Sequence, residues 1–296
     1  MLARVMRLST VRSGVSRCVR MSSTAEAPNL ADIRDQLIKY SGGSVDLDLD
    51  SGSGIAVLTL NNVNKMNAMS GQMMVELADR VTELESWTEG KAVIFKGAGK
   101  TFCSGGDLGT VREILHPENG YQMSCFMQNT MTRFWNLPLL TFALIQGRAL
   151  GGGAELTTAC DFRLMASSAK LGFVQTKMGV TTGWGGGTLL EKLLGRTKSL
   201  SLLCSGRILD SRTAQEIGLV DHVLQDAEAE LTDVKSWIAS QYGSADRSIV
   251  RAMKCVVTAA SDNNVSIALQ IERNIFRTTW AGPSQLAALN KNVKHE

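Results

Sequence analysis

The chain has 296 residues, 44% of them hydrophobic, with 31 basic and 28 acidic side chains and a formal charge of +3. That is enough apolar sequence for the core of one large domain, and the charge is balanced, with no basic stripe interleaved with aromatics, which disfavours a nucleic-acid partner. Six cysteines (Cys18, Cys103, Cys125, Cys160, Cys204, Cys255) lack CxxC spacing and three histidines (His116, His222, His295) lack HExxH spacing, which disfavours a disulfide framework, a His-based metal site and a Ser-His-Asp triad.

Residues 1–27 read as a basic leader. Arg4, Arg7, Arg12, Arg17 and Arg20 occur there with several serines and no acid before Glu26. The composition fits a mitochondrial transit peptide, or an upstream extension of a chain that also starts at Met21. No apolar run approaches the roughly 20 residues of a membrane span.

From Ser44, Val45, Leu47 and Leu49 alternate with aspartates, Ser51–Gly54 makes a turn, and Ile55–Leu60 forms a second strand: an antiparallel hairpin. Residues 70–87 carry Met73, Met74, Leu77, Val81 and Leu84 at helical spacing behind a Ser70 cap. Lys91–Lys96 is a short apolar strand running into a glycine-rich turn, Gly97 to Asp107. After a loop around His116-Pro117, residues 121–136 read as a helix stopped by Pro138, and Leu139–Ile145 as a core strand. A second glycine-rich turn, Gln146 to Glu155, leads into a helix over Leu156–Cys160, followed by strands at Phe162–Ala166 and Lys170–Phe173. Thr181–Gly187 reads as a flexible loop opening a helix over 188–194. Beyond Leu209 the pattern is mainly helical, near 211–217, 227–240, 246–260 and 264–280. The last of these places Ile267, Ile271 and Ile275 on one side, a face that must pack on the body or on a neighbouring subunit.

The repeated plan of strand, glycine turn and helix carries the chemistry. Each turn delivers backbone N–H groups at a helix start, where they lack an internal partner, and two converging donors make an oxyanion hole for a thioester enolate. Either turn alone also fits a tight loop or close helix packing. Neither has the P-loop form, and Gly147 to Gly152 lacks the GxGxxG spacing of a dinucleotide fold.

Lys65-Met66-Asn67-Ala68, Thr101 to Leu108, Gln146 to Glu155, Ala159-Cys160-Asp161, Met178-Gly179 and Gly206 through Val220 together resemble the enoyl-CoA hydratase/isomerase (crotonase) superfamily. The resemblance implies an α/β crotonase-like fold of repeated ββα units over residues 40–225, and a C-terminal helical region, 226–296, that builds homotrimers or hexamers. It implies an acyl-CoA substrate, with coenzyme A part of that substrate and no separate cofactor or metal. The oxyanion donors map to the N–H groups of Gly106 and Gly152. Lys65, Asn67, Ala68, Gly105, Asp107 and Leu108 map to the CoA moiety. Hydratases of the family use two glutamates on water; the first matches Glu155 and the second position holds Gln175, which cannot act as a general acid or base. That departure, with the GGGAELTTACDFRLM stretch, favours a branch that decarboxylates 2-carboxyacyl-CoA thioesters, ethylmalonyl-CoA before methylmalonyl-CoA, over hydration, isomerisation or silent acyl-CoA binding.

On this reading Glu155 governs protonation of the enolate carbon, or orients the substrate carboxylate through water, or organises its loop. Leu150, Phe173 and Trp184 form an apolar wall. Gln175 bonds the carboxylate, a water or solvent. Cys103, beside the donor loop, is assigned to the substrate pocket, as a core filler in preference to a nucleophile, and Arg148 approaches an acidic substrate or makes a surface or subunit contact. The resemblance favours the cytosol, whereas the arginine-rich N-terminus favours the mitochondrial matrix.

Overall fold

The computed structural model describes residues 28–225, 231–243 and 245–290, so the basic leader and the start of the helix expected at 227–240 lie outside the described residues. The chain opens with helix α1 (Leu30–Leu37), capped by Asn29 and held to the body by an Arg34–Asp79 pair at 2.6 and 2.9 Å. The expected hairpin follows as β1 (Ser44–Asp50) and β2 (Ile55–Asn61), antiparallel from Ser44↔Asn61 to Asp50↔Ile55. Ser70 caps α2 (Gly71–Ser86) by accepting from the Met73 amide at 3.1 Å, and β3 (Ala92–Gly97) comes next.

Helix α3 (Leu108–Glu113) is short, and α4 (Pro117–Trp135) starts four residues earlier than its periodicity indicated. The reason lies in the His116-Pro117 pair expected to be loop. Pro117 stands at the first helical position, where its missing N–H is no loss, and His116 Nδ1 accepts from the Glu118 amide. Then come β4 (Leu140–Ile145), β5 (Arg148–Leu150), α5 (Gly152–Thr158), β6 (Phe162–Ala166), β7 (Lys170–Gly172), α6 (Gly186–Leu194), α7 (Arg196–Ser205), β8 (Ile208–Asp210), α8 (Ser211–Glu216) and β9 (His222–Leu224). Four further helices close the described chain: α9 (Leu231–Tyr242), α10 (Arg247–Asp262), α11 (Val265–Thr279) and α12 (Pro283–Asn290).

The main sheet has the order β1-β2-β3-β4-β6-β9, parallel throughout except for the β1–β2 hairpin at its edge. A second sheet, β5-β7-β8, stands beside it. The central strands are buried on both faces, which is why β2, β3 and β4 read as near-continuous apolar runs while β1 alternates with aspartate. One face packs against α2 and α4 through Leu58, Leu60, Met73, Phe95 and Phe134; the other lies under α9 through Ile94, Phe142, Val234 and Ile238. Each such side chain contributes about 1.5–3 kcal/mol on removal from water.

A buried ion pair ties α10 to this body: the Lys254 ammonium donates to Asp161, which also accepts from the amide and hydroxyl of Thr141 at 2.8 and 3.0 Å. Helix α11 has no buried residue in the single chain, and Val265, Ile267, Phe276 and Trp280 are exposed on this C-terminal unit. Among the described residues no helix is long and apolar enough to cross a membrane.

Candidate active site

The two glycine turns are laced to each other before either meets a ligand. The amides of Phe102 and Cys103 both donate to the Arg148 carbonyl at 3.1 Å, and the Leu150 amide donates to the Cys103 carbonyl at 2.9 Å. This short parallel ladder pairs Cys103 with Ala149 and fixes the register of one turn on the other. Glycine is required where the backbones touch: a Cβ on Gly153 would lie 2.1 Å from the Cys103 carbonyl oxygen, and one on Gly147 only 1.9 Å from that of Lys100.

Around Gly106 the backbone is bonded on both sides, since Met69 donates to the Gly105 carbonyl at 2.8 Å and Asp107 donates to the Met69 carbonyl at 2.9 Å. The Gly106 N–H itself, and the Gly152 N–H at the first position of α5, have no acceptor among the described residues. The two segments approach closely here: a Cβ on Gly105, whose φ is +105°, would lie 3.3 Å from the Gly152 nitrogen. Two unpartnered donors on neighbouring rigid turns can bind one oxygen that gains negative charge.

The Trp184 indole covers both glycines. A Cβ on Gly152 would lie 2.4 Å from the ring, and one on Gly106 3.8 Å. Trp184 is buried, and its position follows from Glu155, which α5 carries in its first turn. One carboxylate oxygen of Glu155 accepts from the Trp184 amide at 2.8 Å and the Gly186 amide at 3.0 Å. The other accepts from Gln175 Nε2 at 2.8 Å and the Gly183 amide at 3.3 Å. Burial pushes the Glu155 carboxyl above its ordinary range, and the four donors pull against that shift. Helix α4 holds the same segment from outside: Ser124 Oγ and Gln128 Nε2 donate to the Gly183 carbonyl at 2.5 and 3.0 Å. The segment expected to be a flexible loop is therefore tied down from two sides.

Because a carboxylate only accepts, the group that Gln175 turns towards Glu155 is its NH2, and its Oε1 is left buried without a partner among the described residues. Leu150 is half-buried at the end of β5, and Phe173 is buried just beyond β7. Cys103 is fully buried, and burial raises its thiol to about 12, so it stays protonated and packs in the core. Arg148 is exposed on β5, beside Lys170 of β7.

The residues assigned to the CoA moiety divide by exposure. Lys65 and Leu108 are exposed, and the Lys65 ammonium lies 2.8 Å from the Asp107 carboxylate. Burial alone would raise Asp107, but Lys65 and the amides of Thr110 and Gly109 outweigh it and hold the carboxyl below its usual range. Asp107 also caps α3 through the Thr110 amide at 3.0 Å. Asn67 is fully buried in a left-handed conformation, φ 54°, with Oδ1 accepting from the Asn62 amide and Nδ2 donating to the carbonyls of Ala98 and Thr101. Its side chain shapes the turn, and Ala68 is buried next to it. A cavity of about 540 Å³ lies at the other end of α5, where Cys160, Asp161, Trp135 and Lys254 line it beneath α10.

A sequence profile of enoyl-CoA hydratases/isomerases matches residues 50–287. The chain belongs to the enoyl-CoA hydratase/isomerase family. It is 46% identical to ethylmalonyl-CoA decarboxylase of Danio rerio over 98% of this chain and 97% of that one. With ethylmalonyl-CoA decarboxylase of Rattus norvegicus it shares 44% identity over 98% and 95%. A crystal structure of an enoyl-CoA hydratase from Bacillus anthracis superposes with a TM-score of 0.76 at 28% identity, covering 84% of this chain and 96% of that one. The fold is thus crotonase-like, with its helical region at the C-terminal end.

Within this family site, sequence reasoning missed the backbone amides of Gly183, Trp184 and Gly186 as partners of Glu155, and the outer clamp of Ser124 and Gln128. The one available signal was the i, i+4 spacing of Ser124 and Gln128 on a single helix face.

Proposed function

We propose that this chain is a carboxy-lyase that decarboxylates 2-carboxyacyl-CoA thioesters, converting ethylmalonyl-CoA to butyryl-CoA and CO2 and, less well, methylmalonyl-CoA to propionyl-CoA. The observation that carries this reading is the bond from Gln175 to Glu155. Hydration needs two carboxylates to place and deprotonate water, whereas this site has one, and its four acceptor positions are filled. The identity to two ethylmalonyl-CoA decarboxylases supports the same choice.

Loss of CO2 needs no strong base. The C–C bond to the carboxylate breaks, its electron pair enters the thioester as an enolate, and the Gly106 and Gly152 amides meet the oxygen on which the charge develops. The Trp184 ring against both glycines offers the leaving carboxylate an apolar surface, which favours neutral CO2 over the anion. The enolate carbon then takes one proton to give the product thioester. On this reading the exposed Lys65 and Leu108 meet the CoA moiety, and the exposed Arg148 attracts the acidic substrate. Removal of unwanted carboxylated acyl-CoA is the metabolic sense of such a reaction.

The exposed apolar residues of α11 and α12 support assembly as a homotrimer or a dimer of trimers. We place the protein in the cytosol, with the mitochondrial matrix as the outcome if terminal sequencing of fractionated cells finds an imported, processed chain. The functional test is product analysis with racemic ethylmalonyl-CoA, methylmalonyl-CoA and crotonyl-CoA in parallel. Butyryl-CoA and CO2 from the first, with little hydration of the third, is the expected result. No CO2 from either malonyl derivative overturns the reading, and rapid crotonyl-CoA hydration returns the chain to the hydratase branch.

A further inference from the structure

We infer that Glu155 is a positioning residue, not the proton carrier of the reaction: its carboxylate fixes the 183–186 backbone, and through it sets the Trp184 indole against the two oxyanion glycines. The inference deepens the decarboxylase reading and rests on it for its kinetic arm.

Four observations lead here. Glu155 is only 4% exposed, and its oxygens accept from three backbone amides and one side-chain amide, so no lone pair is left to take a proton from water or substrate. A protonated Glu155 would have to aim its O–H at an N–H, breaking at least one of these bonds. The packing around it is closed as well: a Cβ on Gly186 would lie 2.4 Å from Glu155 Cγ, so the helix start of α6 rests directly on this side chain. The segment it holds carries the ring that lies against Gly106 and Gly152.

Glutamine separates the two roles. In Glu155→Gln the amide oxygen keeps the Trp184 and Gly186 bonds, while the NH2 faces Gln175, whose unpartnered Oε1 accepts after a flip of its amide. Only the Gly183 amide, at a long 3.3 Å, loses its acceptor. A proton carrier would be destroyed by the same change, since an amide neither gives nor takes a proton near neutral pH.

The experiment compares Glu155→Gln, Glu155→Ala and Gly186→Ala with the wild type. The last leaves the carboxylate in place but displaces the backbone it anchors. Ethylmalonyl-CoA decarboxylation should fall less than about tenfold in Glu155→Gln and about 100-fold in both alanine variants. The second readout needs no substrate. Trp184 emission, obtained as the difference from a Trp184→Phe partner of each variant, should remain that of a buried indole in Glu155→Gln and shift to longer wavelength in the alanine variants. Glu155→Gln as inactive as Glu155→Ala, with buried Trp184 emission in both, overturns the inference and returns Glu155 to proton transfer. A wild type that releases no CO2 defeats the decarboxylase reading alone, because the emission arm still decides whether Glu155 holds the Trp184 segment. If Glu155→Ala does not fold, Gly186→Ala and Glu155→Gln give the same contrast.

Discussion

Gly153 is the position at which the geometry of the oxyanion hole can be perturbed with least change in chemistry. Substitution by alanine adds one methyl group, and that Cβ would lie 2.1 Å from the Cys103 carbonyl oxygen, about 1.3 Å short of the 3.4 Å of ordinary contact. The obstacle is backbone, held on Arg148 and Leu150 by the ladder between the turns, so α5 must move away from the first turn and carry the Gly152 amide with it. Overpacking of this kind costs about 1–3 kcal/mol. At about 2–4 °C per kcal/mol for a protein of this size, the melting temperature should fall by roughly 5 °C. Displacement of a catalytic donor by about 1 Å costs about 100-fold in rate. Gly153→Ala should therefore fold, keep KM within about fivefold, and lose about 100-fold in kcat. Gly120→Ala is the control: it lies in α4 with nothing within 4 Å of its Cβ, and should gain about 0.5–1 kcal/mol with kcat unchanged. Calorimetry and steady-state CO2 release measure both. A Gly153→Ala protein with wild-type kcat would refute the argument that the register of the two turns sets the hole.

Three other expectations concern charge. Gln175→Glu replaces the donor at 2.8 Å from Glu155 with a second carboxylate; the two can share one proton but cannot both ionise without repulsion, so this variant should lose decarboxylation as the pH rises from about 6 to 9 while the wild type does not. The Asp107 carboxyl is held below its usual range, so its contribution to stability is complete above about pH 4 and disappears as the pH falls through the lowered value; Asp107→Asn should show a shallower acid-unfolding profile by circular dichroism in that window. Lys254→Met leaves the Asp161 carboxylate with only its Thr141 donors among the described residues and should cost about 3–5 kcal/mol in denaturant unfolding without changing kcat.

What the sequence revealed and what it hid have physical causes. Strands β2, β3 and β4 and helix α2 were legible because each is long enough to show its burial pattern, and α2 adds a Ser70 cap. Strands β5, β7, β8 and β9 have three residues each, too few to show a period, and of these only β7 was read as a strand. Helix α7 escaped because its only buried positions are Ser199 and Leu202, which leaves no apolar stripe. At the site, Gly106 and Gly152 could be placed from family motifs because each sits inside a contiguous local stretch. The partnership of Glu155 with Gln175 and the 183–186 amides spans 20 to 31 residues and depends on how α5, the segment after β7 and the start of α6 meet. The Gly183, Trp184 and Gly186 amides could not be matched to Glu155 from residue types, because the pairing depends on tertiary contact.

The most direct test of the central claim, that CO2 leaves to give an enolate held by backbone donors, is turnover of ethylmalonyl-CoA in D2O with simultaneous CO2 and mass analysis of butyryl-CoA. The account predicts one deuterium at the α carbon for every CO2 released, with little 3-hydroxybutyryl-CoA formed from crotonyl-CoA in a parallel reaction. Absence of CO2, or hydration of crotonyl-CoA at a comparable rate, would contradict it.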